Sequence, residues 1–265
     1  MVGATVNLQR VQLFGLDFVS DATIDEVATT VLAGEVAGAA SPGWRTMVTP
    51  NVDHLVRYAE HPTERAVALD AELVLPDGAP IIWVSRLLGA RLARRLTGSD
   101  FFSSWWPQVC ARSLPVVVVA SSDDLAARLR EQHPAVECIV PPMFAATDAA
   151  AIAALAARID DAVVRLRPVA VVVGLAMSKG HALERAMRVT APPVGTAPWF
   201  MLLGASAEFH VGLQRRAPGW FQRNGLEWAY RLAAEPRRLA KRYLIDDVAF
   251  VPLVWREWRR TRRRR

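Results

Sequence analysis

Two short apolar stretches of this chain run out into residues that can bind an anion or move a proton. Met47-Val48 leads into Thr49-Pro50-Asn51, and Leu73-Val74-Leu75 leads into Pro76-Asp77-Gly78. A buried strand delivers functional groups in this way to its carboxyl edge in an open α/β sheet. The carboxylate of Asp77 can take a proton from an attacking hydroxyl, Thr49 and Asn51 can hydrogen-bond, and the many arginines downstream can hold a departing diphosphate in place of a metal. Together they suit transfer of a group from a phosphate leaving group. On residue type alone, the simpler reading makes Asp77 the cap of a Pro-Asp-Gly turn, and Thr49 and Asn51 turn residues.

Several other chemistries are disfavoured. No two glycines stand as Gly-x-Gly, which removes the dinucleotide fingerprint and the phosphate-cradling P-loop. There is no Asp-x-Asp to carry a divalent metal with a nucleoside diphosphate, no zinc spacing among five histidines and two cysteines, and no Gly-x-Ser-x-Gly elbow. The expected chemistry is metal-free and without a cofactor.

The elements that must position these groups alternate. A strand pair is expected around Gly15, then a helix over Thr23 to Gly38, a strand over Arg45 to Val48 and a helix capped by Asn51, with Asp53 and His54 in its first turn. Pro62 starts another helix, Glu72 to Leu75 returns as a strand, and helices follow from Ala79 to Leu88 and, after the Thr97-Gly98-Ser99-Asp100 cap, from Phe101 to Arg112. The second half reads strand 116–120, helix 122–132, strand 136–140, helix 147–166 and strand 169–175. Gly174 then leads into the loop Ala176-Met177-Ser178-Lys179-Gly180-His181 and a helix to Arg188, with Pro192 to Thr196 as a last strand. All-apolar strands of this kind belong to a parallel sheet covered on both faces. His181 is expected to face solvent in a first helical turn.

Charge divides the chain. Residues 215–265 hold 15 Lys+Arg against 5 Asp+Glu, while the preceding 214 hold 17 against 21. Helices over Trp220 to Ala234 and Pro236 to Leu244, followed by an Arg-rich tail, mix tryptophans with arginines as an interfacial element does, although their aromatics could equally pack on the α/β body. A boundary near residues 204–216 separates a core, 1–204, from a basic helical appendage, 205–265. No signal peptide or membrane-spanning run is evident, and two isolated cysteines fit a reducing cytoplasm.

Taken together, Thr49-Pro50-Asn51-x-x-His54-Leu55, Ala71-x-Leu73-Val74-Leu75-Pro76-Asp77-Gly78, Trp83-x-Ser85-Arg86-Leu87-Leu88-Gly89 and Gly98-x-Asp100-Phe101 resemble the WecG/TagA/CpsF glycosyltransferase family. The run from Arg216-Ala217-Pro218-x-Trp220 through Gly225-Leu226-Glu227-Trp228 to Glu235-Pro236-Arg237-Arg238 is similar to the family's terminal motif, and the likeness spans about Leu13 to Leu244. It implies a Rossmann-like, mostly parallel sheet flanked by helices, with a C-terminal membrane-associating appendage. It further implies inverting, metal-independent transfer from a UDP-sugar, N-acetylmannosamine-type or hexose, to a polyprenyl-diphosphate-linked acceptor, undecaprenyl diphosphate carrying a saccharide.

On that resemblance Asp77 is the general base, and Thr49 and Asn51 line the sugar and diphosphate pocket. Arg231, Arg238 and Lys241 neutralise the diphosphate, and Asp100, Gly174 and Lys179 complete the substrate site. The expected location is the inner face of the cell membrane, peripheral and on anionic lipids, with homo-oligomers among the family's habits. Where the family reads Gly-x-Pro-Lys-Gln-Glu, this chain keeps only Lys179, and Phe-Asp-Phe-x-x-Gly becomes Ala207-Glu208-Phe209-His210-Val211-Gly212. An alternative is therefore a family member without turnover that binds a sugar nucleotide or lipid-linked glycan. A nucleic-acid binder ranks last, because no recognition motif accompanies the charge and no specific nucleic acid is expected.

Overall fold

The structure is a computed structural model that describes residues 8–33, 43–190, 198–234, 236–237 and 247–263. Among these residues eight strands form one sheet: β1 (Arg10–Leu13), β2 (Leu16–Val19), β3 (Arg45–Val48), β4 (Leu73–Val74), β5 (Val116–Val119), β6 (Val136–Ile139), β7 (Ala170–Val173) and β8 (Trp199–Leu202). Their spatial order is β1-β2-β4-β3-β8-β7-β5-β6. Only the β1/β2 hairpin is antiparallel, and every other neighbouring pair is parallel, so the carboxyl ends of seven strands share one edge. Gly15, at φ +79°, turns the hairpin in a conformation that a side chain would strain.

The helices are α1 (Ile24–Ala33), α2 (Val52–Glu60), α3 (Pro62–Leu69), α4 (Ala79–Leu87), α5 (Gly98–Ala111), α6 (Asp123–Gln132), α7 (Ala149–Leu166), α8 (Met177–Val189), α9 (Ser206–His210), α10 (Gly219–Arg223), α11 (Glu227–Ala234) and α12 (Phe250–Arg262). Successive strand residues alternate between the two layers. Val116 and Val118 join α1, α5 and α6 on one face, whereas Val117 and Val119 pack under α7 and α8 on the other. A third cluster gathers Val48, Val74, α2, α3, α4 and Phe250 of α12.

The expected α/β architecture is present. The expected strand over Pro192 to Thr196 lies outside the described residues, as does most of the expected helix over Pro236 to Leu244. Among the described residues the last strand is Trp199–Leu202, which the sequence reading did not single out and whose hydrogen-bonding partners are β3 and β7. The expected Trp220–Ala234 helix is two, α10 and α11, broken where Gly225 takes φ +71°. Residues 250–262, read from sequence as part of a tail, form the helix α12: its apolar residues Phe250, Leu253, Val254 and Trp258 recur at helical spacing against α2 and the hairpin.

Candidate active site

The chain leaves adjacent strands toward opposite faces at β3 and β8. After β3 it enters α2, whose Leu55, Val56 and Tyr58 are buried with Val48; after β8 it enters α9, whose Ala207 is buried with Met47 and Met201. Such a divergence opens a crevice at the carboxyl edge of the sheet, the usual ligand position in open α/β folds. The start of α5 lies against it. A Cβ added to Gly98 would stand 2.8 Å from Oγ of Ser206 and 3.2 Å from Oγ1 of Thr49, so the ends of β3 and β8 meet the first turn of α5 there.

Thr49 is buried at the end of β3. Asn51 caps α2, its Oδ1 accepting from the backbone N–H of His54 at 3.2 Å, with Nδ1 of His54 2.7 Å from the same oxygen. Asp77 is held beside this turn because the backbone pairing of β4 with β3 continues past the strands: Leu75 N–H donates to Val48 at 2.9 Å and Asp77 N–H to Pro50 at 3.1 Å. Gly78 then adopts φ 138°, which releases the chain into α4 with Pro80 in its first turn. The structure therefore brings Thr49, Asn51 and Asp77 together, and Gly174 lies along the same edge, its N–H donating to Val119 at 2.9 Å.

The side chain of Asp77 makes no hydrogen bond among the described residues. Burial pushes its carboxyl up to about 7; Arg95 and Arg216 pull it down, and Glu227 and Asp100 push it up. These four groups form a chain of ion pairs. Arg95 Nη1 is 3.0 Å from Glu227 Oε2, Arg216 Nη1 is 2.6 Å from Asp100 Oδ1, and Arg216 Nε is 3.8 Å from Glu227 Oε1. Asp100 is held below the usual carboxylate range, because Arg216 outweighs the opposing effect of burial. Arg95, Arg216 and Glu227 were not singled out as site residues by sequence. Arg95 sits in a basic run with Arg91 and Arg94, and nothing local distinguishes it; its partner lies 132 positions away.

The altered Ser178-Lys179-Gly180-His181 segment lies in the first turns of α8. His181 is buried, not solvent-facing as expected: Tyr58 of α2 stands 3.0 Å from its Nε2, and Nδ1 is 2.7 Å from the Met177 carbonyl. The Nδ1 contact fixes a proton there, leaving Nε2 to accept from the tyrosine hydroxyl. Burial lowers the His181 pKa, which keeps the ring neutral. Ser178 Oγ accepts from Arg57 at 2.9 Å, and Arg57 also pairs with Glu64 of α3 at 3.0 Å. A Cβ at Gly180 would lie 3.3 Å from Leu202, so this turn packs directly on β8. Lys179 reaches the opposite way, its Nζ 4.7 Å over the ring of Phe144 and 3.6 Å from the sulfur of Met143.

Arg238 and Lys241 lie outside the described residues, and the side chain of Arg231, although its backbone belongs to α11, does too. Among the described residues no three His, Cys, Asp or Glu gather to hold a metal ion. Two grooves lie elsewhere on the described residues. One of about 400 Å³ is lined by Arg256, Arg259, Arg260 and Arg263, and one of about 260 Å³ lies between α2, the hairpin and α12. The crevice at Asp77 is identified by its chemistry and topology, not by its volume.

The model of the Glycosyl transferase WecG/TagA/CpsF family matches residues 11–264, nearly the whole chain and every element of this site. The chain belongs to this family. It is therefore a glycosyltransferase. Among its relatives is N-acetylglucosaminyldiphosphoundecaprenol N-acetyl-beta-D-mannosaminyltransferase of Bacillus spizizenii, 26% identical over 196 residues that make up 72% of each chain. Two of the positions where the motif departs, Gly180 and His181 of α8, lie against β8 and against Tyr58 of α2.

Proposed function

We propose that this glycosyltransferase moves a sugar from a UDP-sugar to a hydroxyl of a polyprenyl-diphosphate-linked saccharide, with inversion and without a metal ion. The relative's name points to an N-acetylmannosamine-type donor and an undecaprenyl-diphosphate-linked N-acetylglucosamine acceptor. The observation that carries the proposal is the placement of Asp77. A carboxyl raised to about 7, at the carboxyl edge of the sheet and beside two guanidiniums, is poised between holding and releasing a proton at neutral pH.

In the proposed step the acceptor oxygen attacks the anomeric carbon as its proton passes to a carboxylate oxygen of Asp77. The bond from that carbon to the diphosphate oxygen breaks, UDP leaves with the electron pair, and a single displacement inverts the centre. Charge developing on the diphosphate is met by Arg95 and Arg216, and by Arg231, Arg238 and Lys241 of the C-terminal segment. Fixed donors of this kind supply the largest share of stabilisation in a water-poor site.

Residues 205–265 act in this reading as the membrane-facing part. No helix among the described residues is long and apolar enough to cross a bilayer. In α12, Trp255 and Val251 are exposed, Arg259 lies over Trp255 and Arg262 over Trp258, and four arginines share one side. Such a helix suits the cytoplasmic face of an anionic membrane, where each basic residue contributes roughly 1 kcal/mol. The test is a panel of UDP-sugars with a short-chain lipid-diphosphate acceptor, run in EDTA. Transfer with an inverted product and undiminished rate is expected; absence of UDP release with every donor would leave only a binding role.

A further inference from the structure

The C-terminal segment does not merely follow the core; it is fastened to it at the rim of the Asp77 site. Gly225, between α10 and α11, rests on the first turns of α4. A Cβ there would stand 2.6 Å from Cβ of Ala79 and 2.9 Å from Cζ2 of Trp83, and Ala79 is two residues from Asp77. Two residues beyond Gly225, Glu227 reaches Arg95 of the core, while Arg216 reaches back to Asp100 and, at 3.3 Å, to Oγ1 of Thr97. We infer that Glu227 is a positioning residue for sugar transfer, seating the C-terminal segment over the crevice and holding the Arg95 and Arg216 guanidiniums beside Asp77. This rests on the transfer reaction proposed above.

Three features separate this role from that of a surface ion pair. The Arg95 and Glu227 side chains are each 20% exposed, so solvent screens them far less than a rim pair. The charges around Asp77 are also counted closely: Arg95 and Arg216 face Asp100 and Glu227, so an ionised Asp77 is the one negative charge in excess. Neutralising Glu227 removes that excess. Arg216 Nε is moreover buried with no hydrogen bond among the described residues, 3.8 Å from Glu227 Oε1, and remains a donor for an arriving anion.

The experiment titrates the Asp77 carboxyl by NMR in the full chain and measures kcat and KM, in wild type, Glu227→Gln and Glu227→Asp. Glu227→Gln is expected to lower the Asp77 midpoint by about one unit and to cut kcat on the order of 10²-fold through misplacement, with KM changing less. Glu227→Asp, which keeps the charge, is expected to restore the midpoint. A Glu227→Gln midpoint and kcat equal to wild type would overturn the inference. If wild type moves no sugar from any donor, the transfer reading fails, while the carboxyl titration still decides whether Glu227 governs Asp77.

Discussion

Asp77 and Glu184 are both carboxylates drawn out of water, and burial raises the pKa of each. They differ in what surrounds them. Glu184, on α8, is 1% exposed; its Oε1 accepts from Thr46 of β3 at 2.9 Å and pairs with Arg188, which also donates to Thr46 and to the Asp70 carbonyl. Asp77 lies at the open carboxyl edge of the sheet, retains some exposure, and has no hydrogen bond of its own among the described residues. Burial alone therefore does not mark a functional acid. A raised carboxyl held by one oxygen, with the other sealed in the core without a hydrogen bond among the described residues, ties elements together, and one whose oxygens remain available at a crevice can exchange a proton with a substrate.

Exchanging the two carboxylates for neutral groups should separate these roles. Asp77→Asn is expected to lower kcat by about 10²- to 10⁴-fold in the transfer assay, while leaving the fold intact. It should also stabilise the protein in alkali. Because the folded pKa of Asp77 lies above its unfolded value, its contribution to stability is present below about pH 4 and is lost as pH rises through about 7. Asn carries no such loss, so the variant should melt a few degrees higher than wild type at about pH 8 and match it in acid. A melting temperature below wild type at about pH 8, with no difference in acid, would show that the Asp77 charge is structurally satisfied.

Glu184→Ala should do the reverse. It strands Arg188 and Thr46, and chemical denaturation is expected to show a loss of roughly 2–3 kcal/mol with kcat per folded molecule near wild type. Gly225→Ala tests the rim of the Asp77 site. The φ of +71° and the 2.6 Å approach to Ala79 are expected to cost about 1–2 kcal/mol, felt as faster hydrogen exchange in α4 and α11 and not across the sheet. Smallest of all, Tyr58→Phe removes one hydrogen bond to His181 and is expected to cost about 1 kcal/mol, read as a lower denaturation midpoint.

The same contrast explains what sequence could disclose. The turn at Asn51 and the delivery of Asp77 from β4 are local: an apolar run, a proline, a capping side chain and a glycine suffice to read them. Gly174 at the end of β7 is legible for the same reason. The groups that charge the site are not local. Arg216 and Asp100 are 116 positions apart, and only the topology of the sheet brings α5 and the C-terminal segment to one edge. His181 was misread because its partner, Tyr58, lies on a helix 123 positions earlier, and one buried histidine looks like an exposed one until that helix is placed. β8 is not legible from sequence because the strand character of Trp199-Phe200-Met201-Leu202 depends on pairing with β3 and β7.

The central claim is that Asp77 takes the acceptor proton, and the pH dependence of kcat/KM tests it most directly. Measured from about pH 5 to 9 with a UDP-sugar and lipid-diphosphate acceptor, wild type should lose activity in acid with a midpoint near 7, and Asp77→Asn should retain only a low rate without that limb. An acid limb at the ordinary carboxylate range, or one that persists unchanged in Asp77→Asn, would contradict the account.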